Sequence, residues 1–288
     1  MATAVDALGP VHDVELPDGV IRYHDVGSGP PLVFVHGIIA NADVWRGVVP
    51  RLRDRYRCIT PDWPLGAHTQ PMRPGTDFTL FGLADLVQRT IAALDLTAPT
   101  LVGNDTGGAI CQAVAARHPE HIGCLVLTPC DAFDNFLPLP IRHLQLFGRT
   151  PAGLKILAET LRLRAVQRLP IAFGLLTRRP IPADIMASYT GPLREHPEVR
   201  RDFAHLVRAI SPAFTREAAE GLRTFPHPAL IAWARQSFFP LAHGERLAGL
   251  IPDARLRIIE DSGPFVTEDQ PDQTAALIGE FPKETAVH

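Results

Sequence analysis

The chain has 288 residues, of which 46% are hydrophobic and 20% are charged, and its formal net charge is −3. This composition is that of a globular protein long enough for one large α/β domain with an insertion. The small negative charge gives no basis for binding nucleic acid or an anionic membrane. The N-terminus lacks signal-peptide features and no apolar run approaches the roughly 18 residues that span a bilayer, so we expect a cytoplasmic protein without membrane contact.

The four cysteines lack the paired spacing of zinc-binding or redox motifs, and we expect buried free thiols in a reducing compartment. No histidine–cysteine cluster has zinc-ligand spacing, and no glycine-rich phosphate loop occurs. The sequence therefore predicts no metal and no cofactor, and it gives no indication of oligomeric state. Only two of the 28 basic residues are lysines, which suggests a GC-rich bacterial genome.

Hydrophobic patterns in the first 130 residues predict strands that alternate with helices. Residues 14–26 alternate in polarity around a Pro-Asp-Gly turn, which indicates a starting hairpin. Residues 31–37 are almost continuously apolar, as in a parallel strand that is buried on both faces. The further predicted elements are a helix over 42–53, a strand over 56–61, a helix over 79–96, a strand over 100–102, a helix over 108–117 and a strand over 121–128. This alternation predicts an α/β protein with a doubly wound parallel sheet.

The pattern changes between residues 131 and 224. Strand-like runs stop, prolines recur, and arginine-rich helical segments appear, for example over 152–167 and 198–210. A helical insertion after a central strand is typical of a cap. Strands over 229–233 and 254–259 and helices over 243–250 and 270–281 then resume the alternation. We therefore expect a core formed by residues 1–130 and 225–288, with a helical cap over 131–224.

The most informative motif is Gly103-Asn104-Asp105-Thr106-Gly107, which joins an apolar strand to a helix. A strand, Gly-x-nucleophile-x-Gly and a helix in succession form the nucleophile elbow of α/β-hydrolases. The glycines are expected because a sharp strand-to-helix turn leaves no room for Cβ atoms beside it. The central residue, Asp105, should then project from the top of the sheet above a helix N-terminus.

With this motif the chain resembles the α/β-hydrolase superfamily over nearly its whole length. The other landmarks that agree in order are His36-Gly37-Ile38, Trp45 followed by residues 48–52, residues 62–66, residues 118–120 and residues 268–271. The resemblance implies an α/β-hydrolase fold and an oxyanion hole at Ile38 and Thr106. An aspartate at the elbow resembles haloalkane dehalogenases and epoxide hydrolases. Such a carboxylate can attack an sp³ carbon, and a base must then activate the water that hydrolyses the ester.

The family's acid–base pair is missing. Pro264 stands where the family has its histidine, and Ser237 stands where it has the supporting aspartate. Thr106 replaces the tryptophan that usually follows the nucleophile of dehalogenases. The cap has one tyrosine, Tyr189, where epoxide hydrolases place two, and Ile39 replaces their usual proline. The detailed pattern of neither enzyme class is complete.

Several residues remain candidates with two interpretations each. Asp105 is either catalytic or a structural N-cap of its helix. His68, in a loop on the active-site side of the sheet, is either a replacement acid or base or a surface residue. Asp131 is either an alternative acid or a residue at the entry to the cap. The candidates for contact with substrate, which could equally be core residues, are His36, Asn104, Asp131, Phe133, Phe136, Tyr189 and Phe238.

These observations predict a cofactor-free enzyme of the α/β-hydrolase fold that acts on a small, largely apolar molecule between core and cap. One alternative is a non-hydrolytic epimerase, lyase or cyclase, in which Asp105 moves a proton and no ester has to be hydrolysed. Another is a ligand-binding protein that has kept the pocket and lost the chemistry. Fold alone does not decide between them.

Overall fold

The computed structural model describes residues 7–236 and 238–285. Its centre is an eight-stranded sheet with the order β1-β2-β4-β3-β5-β6-β7-β8. The strands are β1 (Val11–Leu16), β2 (Gly19–Val26), β3 (Pro31–Val35), β4 (Arg57–Pro61), β5 (Thr100–Asp105), β6 (Cys124–Cys130), β7 (Ala229–Ala234) and β8 (Ala254–Ile259). The β1–β2 and β2–β4 pairs are antiparallel, and the remaining neighbours are parallel. The predicted α/β architecture is confirmed.

Helices flank the sheet and fill the segment between β6 and β7. They are α1 (Leu80–Ala93), α2 (Thr106–Arg117), α3 (His143–Phe147), α4 (Pro151–Thr160), α5 (Arg164–Gln167), α6 (Ala183–Glu195), α7 (Pro197–Ala209), α8 (Pro212–Gly221), α9 (Leu241–Leu250), α10 (Val266–Asp269) and α11 (Pro271–Thr285). Strands β5 and β7 are buried along their whole length, which explains why β7 is continuously apolar and why β5 begins with the apolar pair Leu101-Val102 after Thr100. None of the described helices is both long and apolar enough to cross a bilayer.

Two predicted elements differ from the structure. The helix predicted over 42–53 is wrong, because the chain forms two 3-10 turns there, Ala42–Trp45 and Val49–Arg51. Pro50 has no amide proton for an α-helical bond, and Arg51 instead donates to the carbonyl of Val48. The strand predicted over 121–128 begins at Cys124, since Pro119–His121 is also a 3-10 turn. All four cysteines are free, and three of them are buried.

The helical segment between β6 and β7, named the cap from this point, is joined to the rest of the structure by hydrogen bonds to one buried carboxylate. Asp269 lies at the end of α10 and accepts backbone amides from Arg178 at 2.9 Å and Arg179 at 3.2 Å, both in the cap. It also accepts the amide of Gly263, at 2.8 Å, from the loop after β8. The amide of Phe265 in that loop donates to the cap carbonyl of Leu176 at 2.9 Å. The cap therefore packs directly on the loop that carries Pro264.

Candidate active site

Asp105 occupies a strained turn between β5 and α2. Its backbone has φ 56° and ψ −135°, a conformation that non-glycine residues rarely adopt and that is characteristic of functional sites. The side chain is 2% exposed, and its Oδ1 accepts the amide of Thr106 at 2.6 Å. This amide belongs to the first turn of α2, where the helix dipole favours negative charge. The turn thus fixes one carboxylate oxygen of Asp105 against the helix N-terminus.

Close backbone contacts explain the glycines around this turn. A Cβ atom on Gly107 would lie 2.2 Å from the carbonyl oxygen of Val35, and one on Gly108 would lie 2.3 Å from the Cβ of Cys130. Gly37, in the loop after β3, is packed against the carboxylate itself. A Cβ atom there would lie 2.5 Å from the Cβ of Asp105 and 2.8 Å from its Oδ2. The elbow and the His36-Gly37 loop therefore determine the position of the carboxylate together.

A second buried carboxylate lies behind the first. Asp131 follows β6, is fully buried, and its Oδ2 is 3.0 Å from the hydroxyl oxygen of Thr106. The same hydroxyl oxygen is 3.3 Å from Oδ1 of Asp105. A hydroxyl has one proton to donate, so both contacts are satisfied when a protonated Asp131 donates to Thr106 and Thr106 donates to Asp105. The Oδ1 atom of Asp131 has no hydrogen-bond partner among the described residues.

Burial determines how these two carboxyl groups ionise. Removal from water raises the pKa of Asp105 to about 6, although the two hydrogen bonds from Thr106 oppose the shift. Burial, reinforced by the nearby charge of Asp105, raises the pKa of Asp131 well above its ordinary value. Asp105 is therefore mostly ionised at pH 7, and Asp131 is the harder of the two carboxyl groups to ionise.

The raised pKa of Asp131 gives a stability prediction for Asp131→Asn. Because burial raises the pKa of Asp131 in the folded state, its carboxyl group ionises more readily in the unfolded chain, so wild-type stability declines as the pH rises above about 4. Asparagine does not titrate and avoids this loss, so we expect the variant to gain stability relative to wild type as the pH rises. Each unit of pKa difference corresponds to about 1.4 kcal/mol. Urea unfolding at pH 4.5, 6 and 8 measures the effect, and a pH-independent difference would contradict it.

His36 supports the site through its ring. Its Nε2 accepts the backbone amide of Trp63 at 2.9 Å, and its Nδ1 donates to the carbonyl of Gly37 at 2.9 Å. Burial lowers the pKa of this imidazole to about 4, so it stays neutral. Both ring nitrogens are engaged, which leaves none for a substrate. The predicted substrate contact of His36 is therefore replaced by a structural role in holding the loop that contains Gly37.

Asn104 connects the elbow to the loop that contains Pro264. Its Nδ2 lies 2.8 Å from the hydroxyl oxygen of Thr128, 3.2 Å from the carbonyl of Pro129 and 3.1 Å from the carbonyl of Pro264. The loop after β8 therefore reaches the neighbourhood of the elbow, and Pro264, the predicted replacement of the family's histidine, is buried there. Ser237, the predicted replacement of the supporting acid, lies outside the described residues.

A small apolar cavity, with a volume of about 40 Å³, lies between the elbow and the cap. Asp105 lies on its lining, with Ile38 from the predicted oxyanion loop and Phe238 from the set of predicted substrate contacts. The rest of the lining is formed by Ile39, Ile141, His143, Leu144, Leu157, Leu161, Ile171, Ala172, Phe173 and Leu176. The arrangement places a buried carboxylate in an otherwise largely hydrocarbon cavity, as in many small-molecule sites.

His68 does not lie on this cavity. It is 2% exposed, its Nδ1 accepts the amide of Gly66, and its Nε2 lies 3.4 Å from the carboxylate of Asp202 in α7. Burial lowers the pKa of His68, although Asp202 opposes the shift. The structure therefore pairs His68 with a cap residue and does not bring it to the lining that contains Asp105. The prediction of a surface position is also wrong, since His68 is buried.

Three predicted aromatic contacts lie away from the lining. Tyr189 is fully buried behind the lining residue Phe173, at 6.5 Å between ring centroids, and its hydroxyl donates to Glu268 at 3.3 Å. The ring of Phe133 lies under the guanidinium of Arg246, at 3.8 Å. Phe136 is buried and is not part of the lining. None of these three residues is part of the lining.

Most of the cap residues that line the cavity were not predicted from the sequence. Helical periodicity in α3 and α4 marks an apolar face but does not tell which cavity that face covers. His143 was missed because nothing in its sequence context distinguishes it from the other eleven histidines. Only the packing of the cap on the core places it with Asp105.

Comparison with known proteins agrees with this architecture. Residues 30–271 match the α/β-hydrolase fold family. Haloalkane dehalogenase 2 of Mycobacterium bovis is 29% identical over 266 residues, which cover 90% of each chain. The cis-3-alkyl-4-alkyloxetan-2-one decarboxylase of Shewanella oneidensis is 28% identical over 282 residues, which cover 92% of this chain and 86% of that protein.

Among solved structures, an α/β-hydrolase fold protein from Burkholderia ambifaria superimposes with a TM-score of 0.78 at 23% identity, covering 93% of this chain and 96% of that one. The fold, the order of the motifs and these similarities agree over nearly the whole sequence. The chain therefore belongs to the α/β-hydrolase fold family.

Proposed function

We propose that this protein is an enzyme that uses Asp105 on a small, largely apolar molecule bound between core and cap. The observation that carries the proposal is the carboxylate at φ 56°, which lies on an apolar cavity. The strained backbone of Asp105 and the burial of its carboxylate both lower the stability of the fold. The two features occur together mainly at residues that take part in a reaction. A purely structural N-cap would require neither the strain nor the cavity.

The first role that we propose for Asp105 is nucleophilic. Its described hydrogen bonds all go to Oδ1, which leaves Oδ2 for attack on carbon. Displacement of a halide, or opening of a strained oxygen ring, breaks one bond to carbon while Oδ2 forms another, and the product is an alkyl ester of Asp105. The names of the two relatives support alkyl halides and four-membered lactones as substrate classes. The apolar lining favours substrates without charge.

The second role is proton transfer in a non-hydrolytic reaction. Pro264 removes the base of the family, and a carboxyl group with a pKa of about 6 can both give and accept a proton near neutral pH. The Shewanella relative is named as a decarboxylase, so not every relative of this chain is named as a hydrolase. An epimerase, lyase or cyclase is therefore our alternative. In that case no ester of Asp105 forms.

Trapping of the ester distinguishes the two roles. The protein would be incubated separately with 1-bromobutane, 1,2-epoxyhexane and β-butyrolactone, quenched in acid and examined by intact-protein and peptide mass spectrometry. An adduct on the peptide that contains Asp105 supports the nucleophilic role. Consumption of a probe without an adduct at any time point favours proton transfer. A protein that binds the probes but neither reacts nor turns over would be the non-catalytic ligand-binding protein.

The pKa of Asp105 also predicts the pH dependence of ester formation. Attack requires the carboxylate, so the rate of adduct formation should fall to half of its plateau near pH 6 as the pH is lowered. An ordinary aspartate would keep its plateau rate to below pH 5. Single-turnover rates between pH 4.5 and 8 measure this profile. A rate that stays constant down to pH 5 would contradict the raised pKa.

A further inference from the structure

The cavity that contains Asp105 holds a second ionisable side chain. His143 is the first residue of α3, in the cap, and lies on the same lining. Apart from these two, every lining residue has a hydrocarbon side chain. An aspartate from the core and a histidine from the cap therefore both line an otherwise apolar cavity. Such a pair in a cavity is a common arrangement of acid–base sites.

Local contacts orient the imidazole of His143. Its Nδ1 lies 3.1 Å from the carbonyl oxygen of Pro140, in the 3-10 turn before α3. A carbonyl only accepts, so Nδ1 carries the proton and Nε2 of the neutral ring keeps its lone pair. The ring of Phe147 packs edge-on against it, with centroids 5.9 Å apart and planes at 89°. One ring nitrogen is thus anchored, which leaves the other to accept a proton, as a general base requires.

We propose that His143 is the acid–base residue of this site, in place of the missing histidine at position 264. The inference rests on the proposed nucleophilic role of Asp105. It places the base on the cap, in the lining that also contains the nucleophile, and not on the loop after β8. The base would then be present at the site only while the cap is packed on the core.

The reaction balances with these two residues. Oδ2 of Asp105 attacks the substrate carbon, and the bond from that carbon to the leaving group breaks. Water then attacks the ester carbonyl while Nε2 of His143 takes one proton from the water. The tetrahedral intermediate collapses, its bond to the alkyl oxygen breaks, and that oxygen takes the proton from His143 as the alcohol leaves. Asp105 is regenerated as a carboxyl group, which loses its proton to solvent.

The test compares four proteins with the three probes named above. They are the wild type, His143→Asn, Asp105→Asn and the control His243→Asn. Asparagine at 143 can still donate to the carbonyl of Pro140 but cannot serve as a base. His243 is a partly buried histidine on α9 that is not part of this lining, so its loss controls for nonspecific effects.

We expect His143→Asn to form the Asp105 ester at near the wild-type rate and to lose at least about 100-fold in turnover, because general acid–base catalysis contributes roughly 10²- to 10⁴-fold. The ester should accumulate in His143→Asn and not in His243→Asn. Turnover at the wild-type rate in His143→Asn, or an ester that persists equally in wild type, would overturn the role of His143 and leave the role of Asp105 intact. An adduct that persists in Asp105→Asn would overturn the proposed function itself.

A rescue variant and imidazole NMR test the role of His143 further. Pro264→His in the His143→Asn background returns a base to a loop that already lies next to Asn104, and it should recover turnover at least about tenfold if only a base is missing. If none of the probes reacts, nitrogen NMR of the imidazoles still tests the shared cavity. The Nε2 resonance of His143 should move in Asp105→Asn, while that of His243 should not. An unchanged His143 resonance would overturn the inference.

Discussion

Asp105→Asn should eliminate ester formation and lower turnover by at least about 10³-fold, since removal of a catalytic nucleophile leaves only binding and the rest of the site. Asparagine is nearly the same shape and can still accept the amide of Thr106, which now holds Oδ1 at 2.6 Å. Its amide nitrogen is not a nucleophile toward an alkyl halide or epoxide at neutral pH. The loss should therefore appear in the chemical step and not in the folding of the protein.

Stability provides the matching control for that variant. The folded-state pKa of about 6 is higher than that of an unfolded aspartate, so ionisation of Asp105 costs wild-type stability as the pH rises from about 4 through 6. Asparagine does not ionise, so the variant has no such loss. Its free energy of unfolding at pH 8 should exceed that of wild type by roughly 2–3 kcal/mol, at about 1.4 kcal/mol per pKa unit. Calorimetric unfolding at pH 4.5 and pH 8 measures the difference. A variant that is inactive and also less stable at pH 8 would indicate a structural role.

The fold could be predicted from sequence because its signals are local. A buried parallel strand is apolar throughout, as β3 and β7 show, and the elbow glycines stand at fixed positions around a sharp turn. The resemblance to known α/β-hydrolases then fixed the order of these elements. The prediction of a helix over 42–53 was wrong because an α-helix and two successive 3-10 turns give a similar apolar periodicity over this length.

The site was less predictable, because its partners are distant in the chain. His68 follows a strand near the elbow in sequence, yet its ring is paired with Asp202, which lies 134 positions further on. His143 lines the same cavity as Asp105 only because of the way that the cap packs on the sheet. Loop length and helical periodicity do not indicate which cavity a cap residue will line. The sequence thus predicted that Asp105 stands at the elbow, and it could not predict that His143 lines the same cavity.

Gly37→Ala should reduce ester formation by about 100-fold or more, although position 37 contributes no functional group. An added Cβ atom would lie 2.5 Å from the Cβ of Asp105 and 2.8 Å from its Oδ2, closer than atoms of packed side chains approach one another. The carboxylate or the His36-Gly37 loop must move, and a displacement of about 1 Å at a reacting group can cost 10²-fold in rate. Overpacking of this kind also costs about 1–3 kcal/mol of stability.

Gly249→Ala is the matched control, because a Cβ atom there meets nothing within 4 Å and the residue lies in the last turn of α9. Alanine is favoured over glycine in a helix by roughly 0.5–1 kcal/mol, so this variant should be slightly more stable than wild type and react at the same rate. Comparing the two variants in single-turnover adduct formation and in urea unfolding separates the effect of carboxylate position from that of adding a methyl group. If Gly37→Ala formed the ester as fast as Gly249→Ala, the carboxylate would tolerate displacement, and the geometry of the elbow would not limit the reaction.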